Sequence, residues 1–364
     1  MLSSGDFHRG ERLPAESKLA SEFGISRMTL RSAMGDLERE GLIRRERNQG
    51  CFFGSPAPTA KVEQSPITQG LMARTVVLIT DLKAAVGRDL FDGQSASVVS
   101  GVMDKAARAN LDFLRLTADE RDDTWINELL KLKVRGVVLS CWTKSLDWQY
   151  SVIARLQQQD VPVVVWANVD EMRAFDRVIT DHVSGAEQLV DCLADSGSRK
   201  ILRLWTQSSS TPWIAAHNTG YTRAVVRRGL EELPSLHVED LPDRGHDERS
   251  FRARVRHVAG YLAESFGTQL PIDAIMVGTD CEALVALAAC RLFGRTDIRV
   301  TGYDNYWQSI HERQWEPAVP FATVEKDNHR LGTEMVDLLL KRIEGALSAE
   351  PCARLVEQKL VVTS

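Results

Sequence analysis

The sequence predicts an α/β protein in two parts: a small helix–turn–helix segment closed by a hairpin, then a two-lobed region of doubly wound parallel sheets. Three observations predict it. Apolar residues recur at helical spacing over positions 15–40, and two short strand-like runs follow around Asn48-Gln49-Gly50. From Arg74 onward, apolar runs of four to six residues alternate with amphipathic stretches, the pattern of buried parallel strands joined by helices. That region is about 290 residues long, too long for one doubly wound unit, so two lobes fit better.

Composition narrows the class. The chain has 364 residues, 43% hydrophobic and 26% charged, an ordinary globular balance. No apolar run approaches the ~18 residues of a membrane span. The N-terminus lacks a basic segment followed by an apolar one, so the expectation is a chain without a secretory leader. Cys51, Cys141, Cys192, Cys281, Cys290 and Cys352 form no CxxC pair and read as free thiols in a reducing cytoplasm. The net charge of −5 taken whole argues against a nucleic-acid partner. Divided, it says something else: residues 1–54 carry nine basic against eight acidic side chains, and the remainder 36 against 42. A nearly neutral segment can still present one basic edge.

The first 54 residues parse into short elements. Pro14 precedes a helix over 15–23, with Leu19, Ala20 and Phe23 on one face and Gly24 as its stop. Ser26 is an N-cap candidate for a helix over 27–40, with Leu30, Ala33, Met34 and Leu37 inward. A strand over 42–47, a turn at 48–50 and a strand over 51–53 complete a winged helix-turn-helix. Arg27, Met28, Thr29 and Arg31 lie on the first two turns of the second helix, which enters a major groove N-terminus first. Arginine takes a guanine edge in two hydrogen bonds, and threonine offers a hydroxyl or a methyl. Ser26 caps and also suits a phosphate. Arg45 and Arg47, with Arg44, form a basic strand, and the tip from Arg47 through Gln49 to Gly50 suits a minor groove. Each arginine alone reads equally as a solvated surface residue; their joint placement favours duplex DNA.

Residues 55–73 contain three prolines and few large apolar residues, an extended linker. Strands are then expected at 75–80, 136–141, 162–166, 178–180, 200–205, 274–278 and 299–303, and helices at 97–109, 125–132, 147–159, 185–196, 215–231, 250–266, 282–293 and 329–344. Ligands of such sheets bind beyond the carboxyl ends of the strands. Polar and aromatic residues gather there. Asp81 follows the first strand; Trp142, Trp166 and Trp205 end three others; Trp213 and Trp307 fall in adjacent loops. Asn168 lies just past Trp166, Asp280 follows the strand at 274–278, and Asp304, with Asn305 beside it, follows that at 299–303. Aromatic faces pack on sugar C–H groups while carboxylates and amides take hydroxyls. The plainer role of a tryptophan is packing, especially for Trp125 and Trp148 inside helical patterns. Asp280 also fits the N-cap of the helix at 282–293.

Two resemblances sharpen this reading. LPAE, SRMTLR, DLEREGL and the Gly50-aromatic wing resemble the N-terminal domain of GntR-family regulators across residues 8–54. The resemblance implies DNA contacts at Arg27, Thr29 and Arg31. Many members have an arginine where this chain has Ser17, with Lys18 the substitute. From Arg74 to Ser364, the ordered blocks RGVVLS, VPVVVWAN, VITDHVSGAEQ, GYTRAVVRRGL, DAIMVGTDCEALVAL, IRVTGYDN and PFATVEKDNHRLG resemble the periplasmic-binding-protein-like effector domain of LacI/GalR regulators. The combination is similar to arabinose-type hybrid repressors. It implies that Asp304 binds effector hydroxyls. Three residues before the glycine of GYTRA, where many members grip the effector with arginine, stands His217, a shorter side chain that titrates near neutral pH. Thr279 replaces the usual asparagine or serine before Asp280.

The expected function is a ligand-responsive repressor of sugar or related carbon-source genes. It binds operator DNA as a homodimer through residues 1–54 and a small polar effector between two lobes within 74–364. No cofactor, metal site, catalytic residue or membrane is expected. Walker, GxGxxG, GxSxG and HExxH patterns are absent from the sequence, which disfavours the alternatives of an α/β enzyme or a solute-binding protein acting on a carbohydrate.

Overall fold

A computed structural model describes residues 12–39, 42–46, 50–53, 70–81, 93–118, 124–140, 145–208, 211–245, 247–267 and 272–363. Arg47, Gln49, Trp142 and most of the expected linker lie outside them, as does the side chain of Asp81. The chain divides into two units, Met1–Thr68 and Gln69–Ser364.

In the first unit, α1 (Glu16–Glu22) and α2 (Arg27–Arg39) precede the antiparallel pair β1 (Ile43–Glu46) and β2 (Gly50–Phe53). The hairpin register runs from Ile43 opposite Phe53 to Glu46 opposite Gly50. Gly24 takes a left-handed φ of 63°, and the Ile25 amide bonds back to the Ala20 carbonyl at 3.0 Å, so α1 stops where glycine permits the reversal. Leu13, Leu19, Ala20, Leu30, Met34 and Ile43 form the core. Phe23 and Ala33, expected inside, are exposed: Phe23 sits past the last turn of α1, and the apolar stripe of α2 is narrower than its spacing suggested.

In the second unit, β3 (Thr75–Asp81), α3 (Gly93–Arg108), β4 (Asp112–Ala118), α4 (Thr124–Lys131), β5 (Gly136–Ser140), α5 (Leu146–Gln157), β6 (Val163–Trp166) and β7 (Arg177–Thr180) build the first lobe. The chain then crosses to α6 (His182–Asp195), β8 (Ile201–Trp205), α7 (Pro212–Arg228), β9 (Leu236–His237), α8 (Glu248–Gly267), β10 (Ala274–Val277), α9 (Asp280–Leu292), β11 (Arg299–Thr301) and β12 (Ala322–Glu325). It returns through α10 (Asn328–Ile343) to β13 (Ala353–Val356), and crosses last to β14 (Lys359–Val362). The first sheet has the order β13-β7-β6-β5-β3-β4 and the second β14-β12-β11-β10-β8-β9. Neighbours are parallel except β12 and β14.

Buried apolar residues on both faces of each sheet, such as Val76, Val77, Leu78 and Ile79 of β3, form the cores. Helix α10 packs on α3 at glycine contacts: a Cβ on Gly101 would lie 1.9 Å from the His329 carbonyl oxygen, and one on Gly332 2.2 Å from that of Val98. Three segments therefore cross between the lobes: β7 to α6, β12 to α10, and β13 to β14.

Candidate functional site

In the first unit, Ser26 Oγ accepts the Thr29 amide at 3.1 Å and lies 2.8 Å from Thr29 Oγ1, which fixes the start of α2. Beyond this cap, Arg27, Met28, Thr29 and Arg31 are exposed, Met28 to 77%. Lys18 is exposed on α1. Arg31 donates through Nε and Nη2 to Glu16 Oε2, both at 3.3 Å. Arg45 Nη2 donates to Glu16 Oε1 at 3.2 Å, and its Nε lies 3.7 Å from Glu38. A hydrogen bond with Cys51 is the main cause that raises the Arg45 guanidinium, with Glu16 and Glu38 adding to it. Arg45, expected as a DNA contact, is held by two carboxylates and Cys51. Glu16, which sequence reasoning passed over, joins the second helix to the wing strand. Its signal was its place in LPAE. Arg44 stacks over Phe52 at 4.8 Å. Gly50 has φ 108°, and a Cβ there would meet Arg12 Nε at 3.0 Å.

In the second unit, the three crossing segments and the carboxyl ends of the second lobe's strands supply one cluster. His217 on α7 is fully buried. Its ring lies 4.4 Å from Tyr303, 5.3 Å from His182, 5.4 Å from Trp213 and 5.9 Å from Trp205. Neither ring nitrogen has a hydrogen-bond partner among the described residues. Burial, with help from Lys326, lowers His217 to about 3. His182 is lowered well below the usual imidazole range by burial, then by His217 and Lys326. Both rings are therefore neutral at pH 7.

Each crossing contributes a polar residue. His182 follows β7 and lies 3.2 Å from Thr180 Oγ1. Lys326 follows β12 and forms a buried ion pair with Asp304. Gln358, between β13 and β14, accepts from the Tyr303 hydroxyl. Burial, then Asp304, raises the Tyr303 phenol well above its usual value. Asp304 itself has φ 93°, a strained backbone for a residue other than glycine.

Several sequence expectations are corrected. Trp205 is wholly buried in the second lobe's core, and its Nε1 donates to Asn218 at 3.1 Å; it is no cleft face. Asp280 is not the cap of α9. Thr279 is, its hydroxyl accepting the Glu282 amide at 3.2 Å. The buried Asp280 carboxylate instead accepts the Tyr306 and Trp307 amides at 2.6 and 3.0 Å and the Thr323 hydroxyl at 2.6 Å. It holds the loop that carries Trp307. Burial pushes it up to about 7, a rise that the Thr323 bond opposes and Asp304 reinforces. Asn168 is spent on Thr180, donating to its hydroxyl at 2.9 Å and accepting its amide at 2.8 Å. Asn305 donates to Glu325 at 3.0 Å.

Asp81 ends β3, and half-buried Trp166 ends β6 against the first lobe's core. Trp213 is half-buried with its six-membered ring on Gly278, where a Cβ would approach within 2.7 Å. Trp307 lies under Arg313 at 5.5 Å, and its indole N–H has no partner among the described residues. His217, Asp304 and Trp213 thus gather with Tyr303, His182 and Lys326, three residues that sequence reasoning passed over. Among the described residues, no group of three or more His, Cys, Asp or Glu side chains forms a metal site. None of their helices is long and apolar enough to cross a membrane. Cys51, Cys192, Cys281, Cys290 and Cys352 are free thiols.

Residues 1–53 match the family model for bacterial regulatory proteins of the gntR family, and residues 190–363 that for a periplasmic binding protein-like domain. An arabinose metabolism transcriptional repressor of Geobacillus stearothermophilus is 36% identical over 66 residues, 18% of each chain. A transcriptional repressor PurR of Glaesserella parasuis is 27% identical over 234 residues, 62% of this chain and 61% of the relative. The chain thus covers less than two thirds of the length of either relative. Among solved structures, a transcriptional regulator CelR–cellobiose complex aligns with TM-score 0.60 at 21% identity over 96% of this chain and 99% of the other. A dimeric Lac repressor aligns with TM-score 0.59 at 19% identity over 79% and 97%; at such identities the likeness establishes the fold. The chain therefore carries a segment that matches the gntR-family model at its N-terminus and, after it, a segment that matches the periplasmic binding protein-like model.

Proposed function

We propose that this chain is a ligand-responsive transcriptional repressor of genes for the use of a sugar or related carbon source. It binds operator DNA as a homodimer in the cytoplasm. The observation that carries the reading is the joining of two parts on one chain. One is a winged head whose second helix exposes Arg27, Met28, Thr29 and Arg31 on its first turns. The other is a body whose two lobes meet at three crossings around buried polar groups. The relatives that support it are transcriptional regulators, and the reading is of a regulator rather than an enzyme.

In this reading Arg27 and Thr29 address base edges, Ser26 and Lys18 address phosphates, and Arg31 and Arg45 reach DNA by exchanging Glu16 for phosphate or guanine. Arg47, Gln49 and Gly50 form the wing contact. The effector binds among His217, Asp304, Trp213 and Trp307 of the second lobe and Asp81, Trp142 and Trp166 of the first. Asp280 and Asn168 hold the surrounding backbone, and Trp205 backs the site from the core. A ligand that binds the closed lobes better than the open ones shifts their population. In a dimer that shift changes the spacing of two heads that must match half-sites about one helical turn apart.

The test is fluorescence anisotropy on a palindromic duplex from the region upstream of the chain's own gene. Wild type should bind at nanomolar to micromolar concentration. Arg27→Ala should weaken binding at least tenfold and leave effector-induced thermal stabilisation unchanged. Equal DNA binding by both would sink the assignment of the head.

A further inference from the structure

The chemistry around His217 bears on the class of the effector, and the inference rests on the cleft reading above. Among the described residues, the charged groups against the cluster are Lys326 after β12, Asp304 after β11, Asp280 at the start of α9, Asp181 at the cap of α6, Glu282 beside Gly278 under Trp213, and Arg313 over Trp307. Lys326 is engaged by Asp304. Asp280 is engaged by two loop amides and Thr323, and Asp181 by the Ser184 amide at 2.9 Å. Arg313 donates to the Glu316 carbonyl at 2.5 Å and Glu282 accepts the Gly278 amide at 3.0 Å. Among the described residues both cations are thus engaged and outnumbered by acidic side chains, and Lys326 is the ammonium at the rings. An incoming carboxylate or phosphate would shed its hydration and compete with Asp304 for that ammonium, which costs more than the contact returns. The groups without partners are of another kind. His217 Nδ1 and Nε2, His182 Nδ1, the Gln358 amide nitrogen and the Trp307 indole N–H have no hydrogen-bond partner among the described residues. Burial keeps both imidazoles neutral, and a neutral imidazole offers one donor and one acceptor. A hydroxyl matches that pair, because it too gives one hydrogen bond and accepts others. A carboxylate matches only half of it.

We infer that the effector is an uncharged polyhydroxyl compound that presents hydroxyls to His217, and that sugar acids and sugar phosphates are rejected at this end of the cleft. Trp213, edge-on to His217 and lying against Gly278, covers the imidazole. Its ring must move when a hydroxyl reaches His217, and then supplies the apolar face for the C–H groups.

The experiment uses the full chain and a panel of matched compounds: aldoses and alditols, the corresponding aldonic and uronic acids, and the corresponding 6-phosphates. Thermal shift and calorimetry at pH 7.5 rank them, and anisotropy on the operator is read alongside. Neutral members should raise the melting temperature and change DNA affinity, while their acids and phosphates do neither. His217→Leu should weaken the neutral ligand at least tenfold. His217→Asn, which keeps a donor and an acceptor, should retain most of the affinity and guards against a folding artefact. Stabilisation by an acid or phosphate but not by its neutral counterpart overturns the inference, as does stabilisation by no neutral compound. If His217→Leu abolishes the response to an acid, the cleft reading stands and the ligand class is wrong. If a neutral ligand acts equally on wild type and His217→Leu, the cleft reading itself fails, and this inference with it.

Discussion

Glu16 accepts hydrogen bonds from both Arg31 and Arg45, and these pairs are solvent-exposed enough to add little stability. On the proposed function, their effect falls on DNA binding. Glu16→Gln should leave the melting temperature nearly unchanged and raise non-specific DNA affinity several-fold, narrowing operator discrimination. Anisotropy with operator and scrambled duplexes measures this; unchanged affinity for both would remove Glu16 from the interface. His217 carries a pH prediction. Its imidazole is near 6.5 unfolded and about 3 folded, so below pH 6.5 the unfolded chain holds the extra proton and stability falls as pH falls, by about 2 kcal/mol at pH 5. His182 acts in the same direction. Asp280, held up to about 7, acts oppositely: its contribution is present at low pH and lost as pH rises through 7. Comparing His217→Phe with wild type isolates the histidine term. The variant should lose less melting temperature between pH 7 and pH 5, and equal losses would contradict the buried neutral imidazole. Ser26 is legible as a cap because its chemistry and its position agree. Trp205 and Asp280 misled because a strand end can point into a core or a loop as well as into a cleft, and spacing along the chain does not distinguish these.

At the scale of elements, the helices and central strands follow from apolar period and stop signals. The expected strands at 136–141 and 274–278 appear as β5 and β10. Five strands were not anticipated. The edge strand β4 is only half-buried along most of its length, β9 has two residues, and β12 carries a buried Thr323 amid apolar residues. The last two, β13 and β14, are short and made of exposed and half-buried residues apart from buried Val356. Strands of this kind take their identity from a neighbour in the sheet rather than from their own pattern. Glycines make the same point with a testable sign. Gly101 meets a backbone carbonyl where α3 crosses α10, whereas Gly260 on α8 has no heavy atom within 4 Å of where a Cβ would lie. Gly101→Ala should therefore destabilise by about 1–3 kcal/mol or more through overpacking. Gly260→Ala should stabilise by roughly 0.5–1 kcal/mol through helix propensity. Calorimetric melting of the two variants checks the contrast, and a shift of the same sign in both would refute the close crossing.

For the whole molecule, the proposed function gives separable duties to Met1–Thr68 and Gln69–Ser364. A truncation to residues 69–364, which retains the cores of both lobes, should keep effector-induced thermal stabilisation within about twofold in affinity and lose operator binding. Loss of the ligand response would show that the first unit completes the effector site. The sequence by itself determined the two-part organisation, the winged head with its exposed arginines, and the doubly wound class of the body. Those properties follow from local period, capping residues and composition, which act over a few turns of chain. Only the tertiary structure decided which polar residues meet. His182, Lys326 and Gln358 lie up to 176 positions apart in the sequence, yet three crossings bring them to one cluster with His217, Tyr303 and Asp304. The physical reason is that burial removes water from that cluster. Each group's charge, protonation and need for a partner is then set by neighbours that are remote along the chain.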